Sequence, residues 1–142
     1  MRVYPDTSFL FSLYLEDSNS VTADELNHKL KPSYVFTALH ELELINAIEL
    51  ALFRREITAA QAAAARGDFE EDVLHWTINP LPPDAFSRAV TLARRYTARY
   101  GTRSIDILHV AAAGALNAEA FLTFDRRQLQ LAKAAGLSVR HH

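Results

Sequence analysis

The sequence predicts an α/β domain, a three-layer sandwich with a mainly parallel sheet of about five strands flanked by helices. Short runs of β-branched and aromatic residues alternate along the chain with longer stretches whose apolar residues recur at helical spacing. Strands joined through helices run parallel, with right-handed crossovers. No Pro/Gly-rich linker or internal repeat interrupts the pattern, so residues 1–142 are expected to form one domain. A third observation concerns where the strands stop. Tyr4-Pro5-Asp6 and Phe121-Leu122-Thr123-Phe124-Asp125 are both apolar runs that end in an acid and precede a helix-like stretch. The carboxyl edge of an open α/β sheet is where ligands bind.

The elements follow in order. Arg2 to Pro5 is the first strand. Ser8 to Leu15 carries Phe9, Leu10, Leu13 and Tyr14 at helical spacing and is broken by Glu16-Asp17-Ser18-Asn19. Val21 to Leu30 is a short amphipathic helix stopped by Lys31-Pro32. Tyr34-Val35-Phe36-Thr37 is a strand of β-branched and aromatic residues. Leu39 to Arg55 is a long helix, apolar nearly all round and therefore expected to be buried. Thr58 to Leu74 is a helix interrupted at Gly67, and His75 to Ile78 is a third strand ended by Asn79-Pro80. Asp84 to Tyr100 is a helix with an arginine-rich exposed face of Arg88, Arg94, Arg95 and Arg99. Ile105 to Leu116 is an apolar helix, Ala120 to Thr123 a fourth strand, Arg126 to Ala135 a helix and Leu137 to Val139 a fifth strand.

Composition narrows the function classes. Apolar residues make up 49% and charged residues 23%, which is a globular balance. The net charge of −2 gives no global basic field, so a polyanion would need a local patch. The absence of cysteine excludes disulfides, thiolate zinc sites and a cysteine nucleophile. With no signal-like or long apolar segment, neither a secreted nor a membrane protein is expected, and the cytoplasm is the expected compartment. His141-His142 are either native or a tag remnant and carry no weight.

Each candidate site acid also has an ordinary structural role open to it. Asp6, before Thr7-Ser8, fits a helix N-cap. Asp125 opens Asp125-Arg-Arg-Gln128, which fits a capping box. Asp106 fits a first-turn acid favoured by the helix dipole. Glu41 and Glu43 are two residues apart and point to opposite sides of their helix. Glu43 shares its face with Leu39, Ala47 and Leu50, so it either snorkels to water or is buried against a cation or donors. His109, three residues after Asp106 and on the same face, fits a satisfied core histidine at the helix base.

Taken together, Asp6, Glu43, Asp106 and Asp125 all fall where one sheet edge would gather them. Two carboxylates about 4 Å apart repel by roughly 4 kcal/mol at an effective dielectric near 20. Such a cluster requires protons or a divalent cation, and an oxygen-only donor set suits Mg²⁺ or Mn²⁺ rather than zinc. Cations of that kind serve phosphodiester hydrolysis.

At these positions the sequence resembles the PIN-domain ribonucleases, in particular VapC-type toxins of toxin–antitoxin pairs. The resemblance runs through Tyr4-Pro5-Asp6-Thr7-Ser8 and Thr37-Ala38-Leu39-His40-Glu41-Leu42-Glu43-Leu44-Ile45-Asn46-Ala47. It continues through Arg103-Ser104-Ile105-Asp106-Ile107-Leu108-His109-Val110-Ala111 and Leu122-Thr123-Phe124-Asp125-Arg126-Arg127. The family's helix acid, six residues after a Ser or Thr and four before a small residue, matches Glu43 rather than Glu41. Its central acid matches Asp106 and its last acid Asp125.

The resemblance implies a five-stranded parallel sheet and a pocket holding one or two Mg²⁺ or Mn²⁺ ions. It also implies endonucleolytic RNA cleavage by metal-activated water, leaving a 5′-phosphate and a 3′-hydroxyl. Asp6, Asp106 and Asp125 are then expected to bind metal directly or through water, and Glu43 to hold or deprotonate the water. Thr7, Ser8 and Thr123 would orient carboxylates or meet a phosphate. Arg103, Arg126 and Arg127 are placed to position phosphates. The implied partners are an RNA substrate, a small antitoxin whose basic or helical tail blocks the pocket, and a second copy in a homodimer.

Other chemistries fit less well. A haloacid-dehalogenase-like phosphatase resembles Asp-x-Asp-x-Thr, but position 8 is Ser, so the general acid is missing. A response-regulator receiver would need an acidic pair beside Asp6 and a late Lys. The remaining alternative is a PIN-like scaffold that binds RNA or a protein without cutting.

Overall fold

Four parallel strands build the sheet: β1 (Arg2–Pro5), β2 (Ser33–Tyr34), β3 (Ala120–Leu122) and β4 (Val139–Arg140). They lie in the order β2-β1-β3-β4. The structure is a computed structural model and describes residues 1–140, so His141-His142 lie outside it. Helices α1 (Thr7–Tyr14), α2 (Ser20–Leu30), α3 (Ala38–Phe53) and α4 (Ala59–Val73) belong to the first half. Helices α5 (Ala85–Tyr100), α6 (Ser104–Ala115) and α7 (Arg126–Ala134) belong to the second.

The strand order places a topological switch between β1 and β3, because the chain leaves β1 for β2 on one side and returns through β3 on the other. The register at the switch is Val3↔Ala120, Tyr4↔Phe121 and Pro5↔Leu122. Pro5 lacks an N–H and ends its strand, and the Asp6 N–H then donates to Leu122 O at 2.9 Å. That bond fixes Asp6 at the carboxyl edge of the central strand pair.

Alternation along β1 and β3 sends side chains to two buried faces. Tyr4 and Phe121 stack with ring centroids 5.5 Å apart and pack with Ile107, Val110, Ala113 and Leu131 beneath α6 and α7. Val3, Ala120 and Leu122 face the other way, against Phe9, Ala23 and Leu26 of α1 and α2. A third cluster joins α1, α3 and α4 through Leu10, Leu44, Ile48, Ala65 and Phe69.

Three sequence expectations are corrected. The strand expected at His75 to Ile78 reduces to one parallel bridge, Phe36↔Ile78, with Asn79 N donating to Phe36 O at 2.7 Å. Pro80 follows at once and has no N–H to extend the pairing, so the sheet has four strands rather than five. Gly67 does not interrupt its helix, since α4 is continuous. Helix α3 is not buried all round: His40, Leu44, Ile48 and Ala51 form its inner face, while Leu42 is 67% and Phe53 82% exposed. Among the described residues no helix is long and apolar enough to cross a membrane.

Candidate active site

Asp6 leaves β1 and becomes the N-cap of α1, its side chain accepting the Phe9 N–H at 2.9 Å. The Ser8 hydroxyl donates to the same Oδ1 at 2.6 Å, and the Thr123 hydroxyl, from beyond β3, donates to Oδ2. The carboxylate is buried. Burial pushes its pKa up to about 6, against the hydrogen bonds from Ser8, Thr123 and the Phe9 amide, which favour the charged form. Ser8 also accepts the Phe124 N–H at 2.9 Å, tying α1 to the segment that carries Asp125.

Asp125 is the N-cap of α7 and accepts the Arg127 and Gln128 N–H groups on one oxygen, at 2.9 and 3.0 Å. The capping box is only half formed. Gln128 sends its side-chain amide to Asp106 O at 3.3 Å, and the Asp125 N–H goes to Thr123 Oγ1 at 2.9 Å.

Asp106 lies in the first turn of α6, half-buried, with the Arg103 guanidinium 3.5 Å from Oδ2. Burial raises its pKa; Arg103 opposes this, and the charges of Asp125 and Glu43 add to it.

Glu43 does not snorkel. It points inward from the second turn of α3, where Oε1 accepts from the Thr7 hydroxyl and lies 2.6 Å from His109 Nε2. Burial works to raise its carboxyl, but the hydrogen bonds and charge from His109, Thr7 and Arg103 hold it below its ordinary value. Its neighbour Glu41 is exposed and lies outside the cleft.

Asp6, Glu43, Asp106 and Asp125 line one cleft of about 360 Å³, together with Thr7, Ser8 and Arg103. Each acid comes from a different element, and all four meet at the carboxyl edge beside the β1–β3 switch. Thr123 is buried behind Asp6 and turned toward it. The cleft continues into a trough of about 330 Å³ lined by Arg103, Asp106, Asp125, Arg126 and Arg127.

The acids surround the cleft without closing on a point. Among the described residues no three Asp, Glu or His side chains converge into a ready ligand set. The donor chemistry fits a hard cation, and the spread fits one that keeps its own waters, as Mg²⁺ does when held by one or two carboxylates. A dehydrated ion in an all-protein cage does not fit.

Sequence spacing left three participants out. Asn46 and Gln128 also line the cleft, and Asn46 sits one helical turn after Glu43. His109 is buried as expected, but both ring nitrogens are engaged, Nδ1 with the Tyr4 hydroxyl at 2.7 Å and Nε2 with Glu43. Its shared face with Asp106 was the available signal.

A parallel sheet with acids gathered at its switch point defines an α/β domain with its cleft at the carboxyl edge of the sheet, where such folds bind ligands. Residues 3–134 match the PIN domain, and the chain belongs to that family. No curated protein sequence matches it. The fold is similar to that in the crystal structure of FitAcB from Neisseria gonorrhoeae, at 17% identity and a TM-score of 0.71, covering 98% of this chain and 96% of that one. VapBC2 from Rickettsia felis, solved with a DNA fragment from its promoter, is similar at 13% and 0.68, covering 99% and 98%. VapC20 from Mycobacterium tuberculosis, described as a sarcin–ricin loop cleaving toxin, is similar at 20% and 0.69, covering 95% of each chain.

Proposed function

We propose that this PIN domain is a Mg²⁺- or Mn²⁺-dependent endoribonuclease and the toxin of a toxin–antitoxin pair. The observation that carries the proposal is that Asp6, Glu43, Asp106 and Asp125 line one cleft that opens into an arginine-lined trough. Fold similarity to a toxin named for cleaving the sarcin–ricin loop supports RNA as the substrate class.

A bound Mg²⁺ or Mn²⁺ supplies Lewis acidity and an activated water. Asp6, Asp106 and Asp125 would hold the cation or its waters. Glu43, whose pKa lies below the ordinary carboxylate value, is ionised at neutral pH and would orient the attacking water or take its proton at Oε2. Thr7, Ser8 and Thr123 hold carboxylates in place through the hydrogen bonds described above. Arg103, Arg126 and Arg127 hold the RNA phosphates.

The protein acts in the cytoplasm as a homodimer and is silenced by a small antitoxin. An Arg from the antitoxin's tail would meet the carboxylates of the cleft directly. Exposed Phe86, Val90 and Ile105 between α5 and α6 supply apolar surface for a partner chain.

The test is cleavage of total RNA by the purified protein with Mg²⁺ or Mn²⁺, beside EDTA and Asp6→Asn. Metal-dependent cutting that the variant loses is expected; equal cutting by both refutes the assignment. A second reading, a scaffold that binds without cutting, draws on the absence of a ready three-ligand set among the described residues. A Mn²⁺ titration separates the two, because a non-cutting scaffold of this kind binds no Mn²⁺ at the cleft.

A further inference from the structure

The four acids do not account for the most buried polar contact at the site, a hydrogen-bonded chain from the core of the sheet to Glu43. Tyr4, on the central strand, and His109, on α6, are both fully buried. Tyr4 Oη lies 2.7 Å from His109 Nδ1, and His109 Nε2 lies 2.6 Å from Glu43 Oε1. The rings of Tyr4 and His109 meet edge-on at 5.6 Å, and His40 closes on both at 4.4 and 5.1 Å. The His109 ring therefore has little room to turn.

The chain has a direction. A carboxylate offers no proton, so the proton between His109 and Glu43 belongs to Nε2. The Tyr4 hydroxyl meets Nδ1 from the other side of the ring, donating to a bare Nδ1 or accepting from a protonated one, and Thr37 is its second hydrogen-bonding neighbour. Either way Tyr4 pins the ring at Nδ1, and His109 presents Nε2–H to Glu43. With Thr7 donating to the same oxygen, Glu43 Oε1 receives two donors. Oε2 accepts no hydrogen bond among the described residues and is left to the cleft.

We infer that His109, locked by Tyr4, is the positioning residue that orients Glu43 so that Oε2 alone serves the cation's hydration shell or the attacking water. The inference rests on the proposed metal-dependent function and adds a buried support that reaches the cleft from the core. His109 touches neither RNA nor metal. Its effect runs through the angle at which Glu43 is presented.

The test uses the full chain and reads Mn²⁺ affinity, without RNA, in wild type, Glu43→Gln, His109→Leu and the double variant. His109→Leu is expected to weaken Mn²⁺ by about tenfold, and the double variant to be no weaker than Glu43→Gln alone. His109→Gln, which can still donate to Glu43, should recover most of the loss, which a purely packing role would not predict. Long-range ¹⁵N NMR of the metal-free wild type should show His109 protonated at Nε2; a bare Nε2 overturns the inference. Additive losses in the double variant, or no recovery with Gln, also overturn it while leaving the metal site intact. Absence of Mn²⁺ binding in the wild type instead removes the metal-dependent function, and this inference with it. If His109→Leu does not fold, Tyr4→Phe replaces it and is expected to free the His109 ring and weaken Mn²⁺ in the same direction.

Discussion

The burial of Asp6 makes the pH dependence of Asp6→Asn a sharp test of the site's electrostatics. In the metal-free protein the Asp6 pKa rises from 3.8 to about 6, because burial disfavours the charged form more than its three donors favour it. A native pKa above the unfolded one means that the native state holds the extra proton between these values. Stability from this group is therefore present at low pH and is lost as pH rises, with the loss complete a little above pH 6. The full loss is about 3 kcal/mol, at 1.36 kcal/mol for each tenfold change in the proton equilibrium. Between about pH 5 and about pH 7.5 the wild type loses roughly 1.4 kcal/mol of that total. Asparagine carries no charge, and its loss of an acceptor oxygen weighs equally at both pH values. At about 2.1 cal/mol/K per residue, melting of a chain this size has an entropy near 300 cal/mol/K, so roughly 1.4 kcal/mol is about 5 °C. In thermal melts with EDTA, the Tm of Asp6→Asn relative to wild type should move upward by about 5 °C between those two pH values. An offset that stays constant would show that Asp6 is ionised at little cost, and the burial argument would fail.

Three further predictions follow from the contacts. Asp125→Ala should lose about 1 kcal/mol through its cap on α7, and Asp125→Ser should recover most of that in urea unfolding while binding Mn²⁺ no better than the alanine variant. Arg126→Ala and Arg127→Ala should each lower the slope of log K against log salt by about 0.7 for single-stranded RNA, read by anisotropy in EDTA, with losses even across sequences. Phe69→Ala, in the cluster beneath α1 and α3, should cost about 3–5 kcal/mol in denaturant unfolding and leave the Mn²⁺ affinity of the folded protein unchanged.

Sequence alone revealed the parts of this protein that depend on neighbours close in the chain. β1 and β3 are legible because apolar runs end at Asp6 and shortly before Asp125, and the caps of α1 and α7 form where those acids stand. The third strand fails because pairing is a property of the partner: Tyr34 and Phe36 use different ones, and Pro80 stops the second after a single bridge. The inner face of α3 was misjudged for a related reason. Apolar periodicity marks what can be buried, whereas the exposed Leu42 and Phe53 show that this chain covers only one side. The surroundings of Glu43 are legible only in part: Thr7 is expected to orient a carboxylate, but His109, 66 residues away, is expected only to pack at the helix base.

The structural and functional explanations for these acids turn out to be compatible, because a carboxylate has two oxygens. Asp125 spends Oδ1 on two amides of α7, and Glu43 spends Oε1 on Thr7 and His109, so each is fixed by one oxygen and presents the other. A cap or an anchor is then the means by which a ligand oxygen is aimed. Asp6 goes further, with three donors over both oxygens, and is the most rigid and most desolvated of the four. Asp106 is the opposite case: among the described residues no side-chain donor comes closer than Arg103 at 3.5 Å. On the proposed function, a site with one acid held through both oxygens, two held through one and one without a close donor would be able to draw in around a hydrated cation. In that arrangement Asp6 would set where the cation sits and Asp106 would adjust to it.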